Sequence, residues 1–142
     1  MSASANPGGS APSAPALQRL RHRAQFDAVL SSAPAAKTMH FALHLTDSRA
    51  RGASDGLFPG GGRWVGAMVP KRWARRAVTR NLLRRQIYAV AREWMHALPE
   101  VAVVVRLRSG FSREQFPSAG SEALRHAARA ELQRLFERAR RA

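Results

Sequence analysis

Between Lys71 and Arg85 the chain reads Lys-Arg-Trp-Ala-Arg-Arg-Ala-Val-Thr-Arg-Asn-Leu-Leu-Arg-Arg, seven basic residues in fifteen with no acid among them. The carboxylate-free stretch is longer still, from Arg63 to Arg92. Guanidinium and ammonium groups donate charge-assisted hydrogen bonds to phosphate oxygens, so this run suits binding of a polyanion rather than bond-making chemistry. Wound as a helix, it brings Leu83, Ile87, Val90 and Trp94 within about 60° of one another and turns Asn81, Arg84, Arg85, Tyr88 and Arg92 the other way. An ordinary solvated face mixes both signs, and like charges three or four residues apart cost a few tenths of a kcal/mol each on an isolated helix. A face of one sign is therefore the electrostatic footprint of a nucleic-acid binder. Asn81 adds a donor and an acceptor. Tyr88 is either a surface on which a base stacks or a half-buried helix aromatic. Lys71 and Arg72 stand just ahead of the helix, where free N–H groups also attract phosphate.

Other chemistries are poorly provided for. The absence of cysteine removes disulfides, a thiolate nucleophile, iron–sulfur clusters and Cys-containing zinc sites. The nine carboxylates are scattered singly, and no serine stands in a nucleophile elbow. His40 and His44 share one side of an alternating segment without a third ligand nearby. Pro59-Gly60-Gly61-Gly62 is no phosphate loop, because no Lys-Ser/Thr follows it and a strand, not a helix, comes next. The expectation is no catalytic residue and no metal site on the protein itself.

The whole chain agrees with a binding role. Its 142 residues carry 24 Lys and Arg against 9 Asp and Glu, a net charge of +15 with pI near 12.0. Twenty-two of the 24 basic residues are Arg, a preference that a GC-rich genome accounts for, so nothing site-specific follows from it. No stretch approaches the ~20 apolar residues of a membrane span, and the N-terminus lacks the order of a secretory signal, so a soluble cytoplasmic protein is expected. Nucleic acid leads as the partner and an anionic membrane surface trails.

The elements that must position the basic run follow from hydrophobic period. Residues 1–16, Ser, Ala, Pro and Gly apart from Met1 and Asn6, carry no charged side chain and read as a disordered tail; 17–142 read as one domain. Arg23 to Leu30 is a short amphipathic helix with Phe26, Val29 and Leu30 at i, i+3 and i+4, which marks Phe26 as a core residue. His40 to Thr46 alternates as a strand, with Phe41, Leu43 and Leu45 opposite Ala42 and His44. Asp47 to Gly62, with five glycines, is a flexible connection, and Arg63 to Val69 is a second strand ended by Pro70. The main helix spans Arg75 to Leu98, Val101 to Leu107 is a strand buried on both faces, and Ser121 caps a last helix to Arg140. The order is αββαβα, an α+β fold with helices packed on a small mixed sheet.

Pro70-Lys71-Arg72, four residues, Ala77-Val78, one residue, Arg80-Asn81, two residues, Arg84-Arg85 resembles the signature of the protein subunit of bacterial ribonuclease P. The similarity extends to Arg19-Leu20, the Phe26-x-x-Val29 helix, Phe41-Ala42-Leu43-His44, Val65-Gly66, the Val101 to Leu107 strand and the last helix, and so covers residues 17–140. The resemblance implies a two-layer sandwich with a left-handed βαβ crossover, against the general right-handed rule. It implies a partner, one catalytic RNA, which with magnesium ions removes the 5′ leader of precursor tRNA, while the protein alone is not catalytic. Lys71, Arg72, Arg75, Arg76, Arg80, Asn81, Arg84 and Arg85 would contact that RNA. Phe26, Ala42 and His44 would line a leader-binding cleft between the first helix and the sheet, joined by Tyr88. Mg2+ is expected in the RNA–protein holoenzyme and none on the protein alone, with neither a DNA target nor a membrane. Departures from the pattern are Leu82 at the third place of Arg-Asn-Arg, Pro70 for the usual Ser, Leu30 for a second aromatic, and His44 for Tyr. The alternative is a general RNA-binding, ribosomal-type chaperone with no processing role. A membrane-active reading of the main helix is weaker, since packing on a sheet explains the same amphipathicity.

Overall fold

Residues 17–49 and 56–142 are described by a computed structural model; the expected tail, 1–16, and residues 50–55 of the glycine-rich connection lie outside the described residues. In chain order the elements are β1 (Gln18–Arg19), α1 (Arg23–Leu30), β2 (Ala36–Lys37), β3 (Phe41–Asp47), β4 (Trp64–Met68), α2 (Ala77–Trp94), β5 (Val101–Leu107) and α3 (Glu122–Arg141). The apolar run of β5 takes the middle of a five-stranded mixed sheet ordered β1-β4-β5-β3-β2. It pairs antiparallel with β3 and parallel with β4, and α2 carries the crossover between these two parallel neighbours. The expected order αββαβα lacked β1 and β2, which pair with β4 and β3 at the sheet edges. Two residues have no period to read; their conformation is set by the partner strand. Such short edge strands also leave little unpaired backbone for another chain to join.

The main helix starts two residues later than its periodicity predicts and ends at Trp94, after which Met95–Ala97 tighten into a 3-10 turn ahead of Pro99. Ser121 caps α3 as expected, its hydroxyl accepting from the Leu124 N–H at 3.0 Å.

The pleat sorts the strand residues onto two faces. Phe41, Leu43, Val65, Val103 and Val105 pack under α2 and α3, whose Leu83, Ile87, Val90, Leu132, Leu135 and Phe136 are all nearly inaccessible. These two helices form the second layer of the sandwich. On the opposite face Trp64, Ala102 and Val104 meet Val29 of α1 together with Leu20, Phe58 and part of Phe26. Gln25, buried on the inner side of α1, accepts from the N–H groups of Arg21 and His22 at 2.8 and 3.0 Å and donates to the Leu57 carbonyl at 2.8 Å. One amide side chain thus caps the helix and ties it to the segment before β4.

A buried carboxylate closes the other end of the sheet. Glu131 lies within the apolar stripe of α3 and accepts from the Thr38 hydroxyl at 2.6 Å, from the His40 N–H at 2.6 Å and from His40 Nδ1 at 2.8 Å. It clamps the β2–β3 turn onto α3. Burial pushes the Glu131 carboxyl up, but the hydrogen bonds from Thr38 and His40, aided by charge on His40, outweigh it and hold the group below the usual glutamate value. A depressed folded-state pKa contributes stability that is complete above the unfolded value and is lost as pH falls through the folded one. Glu131→Gln is expected to lower unfolding free energy by about 1–3 kcal/mol at neutral pH, through donors left without an acceptor. In urea titrations the gap to the wild type should narrow as pH falls below the glutamate range; a gap independent of pH would mean that the charge plays no part.

Candidate nucleic-acid interface

Helix α2 is two-sided because its inner residues have a sheet to cover. Leu82, Leu83, Ile87, Val90 and Ala91 are buried, while Asn81, Arg85 and Arg92 are exposed and Arg84 and Tyr88 half-buried. Among the described residues none of Lys71, Arg72, Arg75, Arg76, Arg80, Arg84, Arg85 and Arg92 forms an ion pair with a carboxylate. The arginines of α3 behave differently. Arg125 pairs with Glu122 at 2.7 Å, Arg140 and Arg141 with Glu137 at 3.0 and 2.9 Å, and Arg129 with Glu93. Hydrogen bonds from Arg125 and Arg140 hold Glu122 and Glu137 below the usual glutamate range. Glu93, Glu122 and Glu137 are thus engaged by arginines of α3, and the α2 arginines keep their charge unpaired among the described residues.

The residues of that face have distinct local roles. Lys71 and Arg72 lie exposed in a turn closed by the Trp73 and Ala74 N–H groups on the Pro70 carbonyl, at 3.1 and 3.2 Å. Arg75 and Arg76 are exposed at the helix start, where the Arg76 side chain makes no capping bond. Arg80 folds back and donates to the carbonyls of Ala74 and Arg75 at 3.0 and 2.8 Å, so it braces the turn. Arg84 donates to Asn81 Oδ1 at 3.2 Å, which aligns the two side chains along one ridge. Leu82, at the third place of the Arg-Asn-Arg pattern, points into the core.

The four residues expected at the leader cleft do not stay together. Tyr88 packs against the α2–α3 core, and the Arg19 guanidinium lies 3.9 Å from its ring centroid, a cation–π contact. Tyr88 therefore belongs to the basic face, in a groove of about 500 Å³ lined by Arg19, Asn81, Arg84, Arg85 and Arg92. Phe26, Ala42 and His44 lie on the opposite face of the sheet. The half-buried Phe26 ring rests on Gly66, where an added Cβ would meet it at 2.6 Å. Ala42 is sealed, and His44 is 5% exposed, with Nδ1 2.9 Å from the Ser32 carbonyl and Nε2 accepting from Arg106 Nε at 3.0 Å. A carbonyl on one side and a guanidinium on the other assign the ring proton to Nδ1. α1 and Arg106 cover this side of β3, on which Phe26, Leu30, Met68 and Arg106 stay partly exposed.

Arg19 and Arg106 are the site residues that sequence reasoning missed. Arg19 sits on a two-residue strand without a pattern. Arg106 carries a signal that parity could have found, since it is the lone charge in an apolar run and occupies the same side of β5 as Ala102 and Val104. Among the described residues no group of three or more His, Cys, Asp or Glu is arranged to hold a metal ion, and no helix is long and apolar enough to cross a membrane.

Comparison with known proteins agrees with this geometry. The family model described as Ribonuclease P matches residues 14–140. The chain is 31% identical over 123 residues to the ribonuclease P protein component of Ralstonia pickettii (strain 12J), spanning 87% of this chain and 79% of that protein. It is 30% identical over 127 residues to the protein of the same name from Paraburkholderia xenovorans (strain LB400), spanning 89% and 84%. The fold is similar to that of the Staphylococcus aureus RNase P protein, with a TM-score of 0.61 at 14% identity, covering 84% of this chain and 92% of that one. Signature helix, sheet topology and a match over most of its length converge on one assignment: the chain belongs to the ribonuclease P protein family.

Proposed function

We propose that this protein is the protein component of a ribonuclease P ribonucleoprotein, acting in removal of the 5′ leader of precursor tRNA, and that it contributes binding rather than bond cleavage. The observation that carries the reading is the α2 face, on which the arginines have no carboxylate partner among the described residues. Each phosphate that replaces a counterion there releases an ion, so assembly with the catalytic RNA should weaken steeply with salt, by a slope of about −0.7 to −0.9 per contact. Magnesium in this reading is held by the RNA, and among the described residues no cluster of His, Asp or Glu is placed to compete for it. The role of the protein is to offset repulsion between RNA phosphates, which lets the ions needed for cleavage bind at lower concentration.

The sheet separates the two RNA contacts. The α2 face with Arg19 and Tyr88 takes the catalytic RNA, and the α1 side, with Phe26 and Arg106, takes the single-stranded leader. One small domain then bridges enzyme RNA and substrate.

At limiting magnesium, adding the protein to a bacterial ribonuclease P RNA should stimulate cleavage of precursor tRNA at the mature 5′ end. No stimulation, with equal affinity for unrelated RNA, would replace this reading with a general RNA coat. Arg84→Ala with Arg85→Ala should flatten the salt slope of RNA affinity by roughly 1.4–1.8, two contacts' worth. Melting should barely move, because neither the exposed Arg85 nor the half-buried Arg84 pairs with a carboxylate among the described residues, and arginines at the surface contribute little to folding; an unchanged slope removes α2 from the interface. Phe26→Ala should reduce affinity for precursor relative to mature tRNA. If stability alone falls, by the ~3–5 kcal/mol of a buried Phe, the residue is core and the leader lies elsewhere.

A further inference from the structure

Where the β4–α2 turn meets the β5–α3 connection, a cleft of about 230 Å³ opens beside the start of α2. Its floor is apolar, made by Leu83, Leu124, Phe111 and Phe116, and its rim carries Trp73 with Arg72, Arg75, Arg76 and Arg113. Trp73 is 38% exposed, against 7% for Trp64, although nothing in the packing requires an indole at the surface. The Arg72 guanidinium is 5.5 Å from its ring centroid, which restrains the indole.

The walls are fixed in place rather than loosely apposed. Gly110 lets the connection pass so close to the turn that an added Cβ would stand 2.7 Å from the Trp73 carbonyl oxygen. The Thr79 hydroxyl donates to the Ala119 carbonyl at 2.8 Å, and at Gly120 a Cβ would meet Val78 at 2.9 Å. Phe111 is stacked on His40 with centroids 3.9 Å apart and meets Phe116 edge-on at 5.8 Å. The cleft therefore exists before any ligand arrives.

A small cleft with an apolar floor, an aromatic lip and four guanidiniums at its mouth is the chemical complement of an aromatic ring carried on a polyanion. The volume lies below the ~300–1,000 Å³ of sites that enclose drug-sized ligands, so a single ring system fits and a longer segment does not. We infer that the cleft takes one unpaired base of the catalytic RNA, stacked on Trp73, with the flanking phosphates on Arg113 and on Arg75 or Arg76. The inference rests on the RNA-binding reading above and adds a base contact to its phosphate contacts. The occupant is the catalytic RNA rather than the leader because the cleft is continuous with Lys71–Arg76 and lies on the α2–α3 side of the sheet, away from α1.

The test uses the full chain and a folded bacterial ribonuclease P RNA, with affinity measured across a salt series. Loss of one stacked base predicts a roughly 5- to 150-fold weaker Kd for Trp73→Ala at every salt concentration, with the salt slope unchanged and most of the affinity restored by Trp73→Phe. Arg113→Ala should instead reduce the slope by about one contact. Thermal melting of each variant checks that the fold is intact. Wild-type affinity in Trp73→Ala, with the α2 arginines still required, overturns the cleft and leaves the RNA-binding reading standing. A wild-type protein with no preference for the folded RNA overturns both.

Discussion

Leu83, Ile87 and Val90, pressed against Val65, Val103 and Val105, hold in place a helix whose outer face repels itself. Each such side chain contributes about 1.5–3 kcal/mol on burial, whereas each like-charged neighbour pair costs a few tenths. Burial wins by a wide margin, so the charged face needs no carboxylates to remain helical. The free cations are thereby left for a partner. The same balance explains Leu82: once the inner side widens to take it, the core gains another apolar residue and the outer ridge is carried by Asn81, Arg84 and Arg85.

The sheet then acts as a partition. Alternation along β5 sends Val103 and Val105 toward α2 and α3, and Ala102, Val104 and Arg106 toward α1, so a single strand supports both faces. Two guanidiniums from unrelated parts of the chain complete the faces, Arg19 over Tyr88 on one and Arg106 over His44 on the other. Each is placed by strand pairing, and each sits against a ring that fixes its orientation.

Long periodic segments were legible in the sequence. Arg23–Leu30 and Val101–Leu107 fold with the bounds that hydrophobic spacing predicts, and the basic face of α2 is where a helical projection puts it. What was not legible depends on topology. Tyr88 and Phe26 are expected to line one cleft, and only the strand order shows that a sheet lies between them. Alternation in β3 marks Ala42 and His44 as the second side of a strand, but it says nothing of the helix and the arginine that close over them. Glu131 reads as one charge in a helix stripe until the β2–β3 turn, some ninety residues earlier, is brought beneath it.

The strand at the centre of the sheet is the last to be synthesised. Without Val101–Leu107, β1-β4 and β3-β2 are two separate pairs, each containing a partner of only two residues, and a pair of that kind has little stability in water. A nascent chain that ends short of residue 101 consequently has no sheet at all, rather than a smaller one. Folding on the ribosome must wait for β5 to emerge, and until then a strongly basic, unfolded chain lies beside ribosomal RNA. The pairings of β5 with β3 and β4 are what join the two sides of the sheet, and α3 can pack only after them.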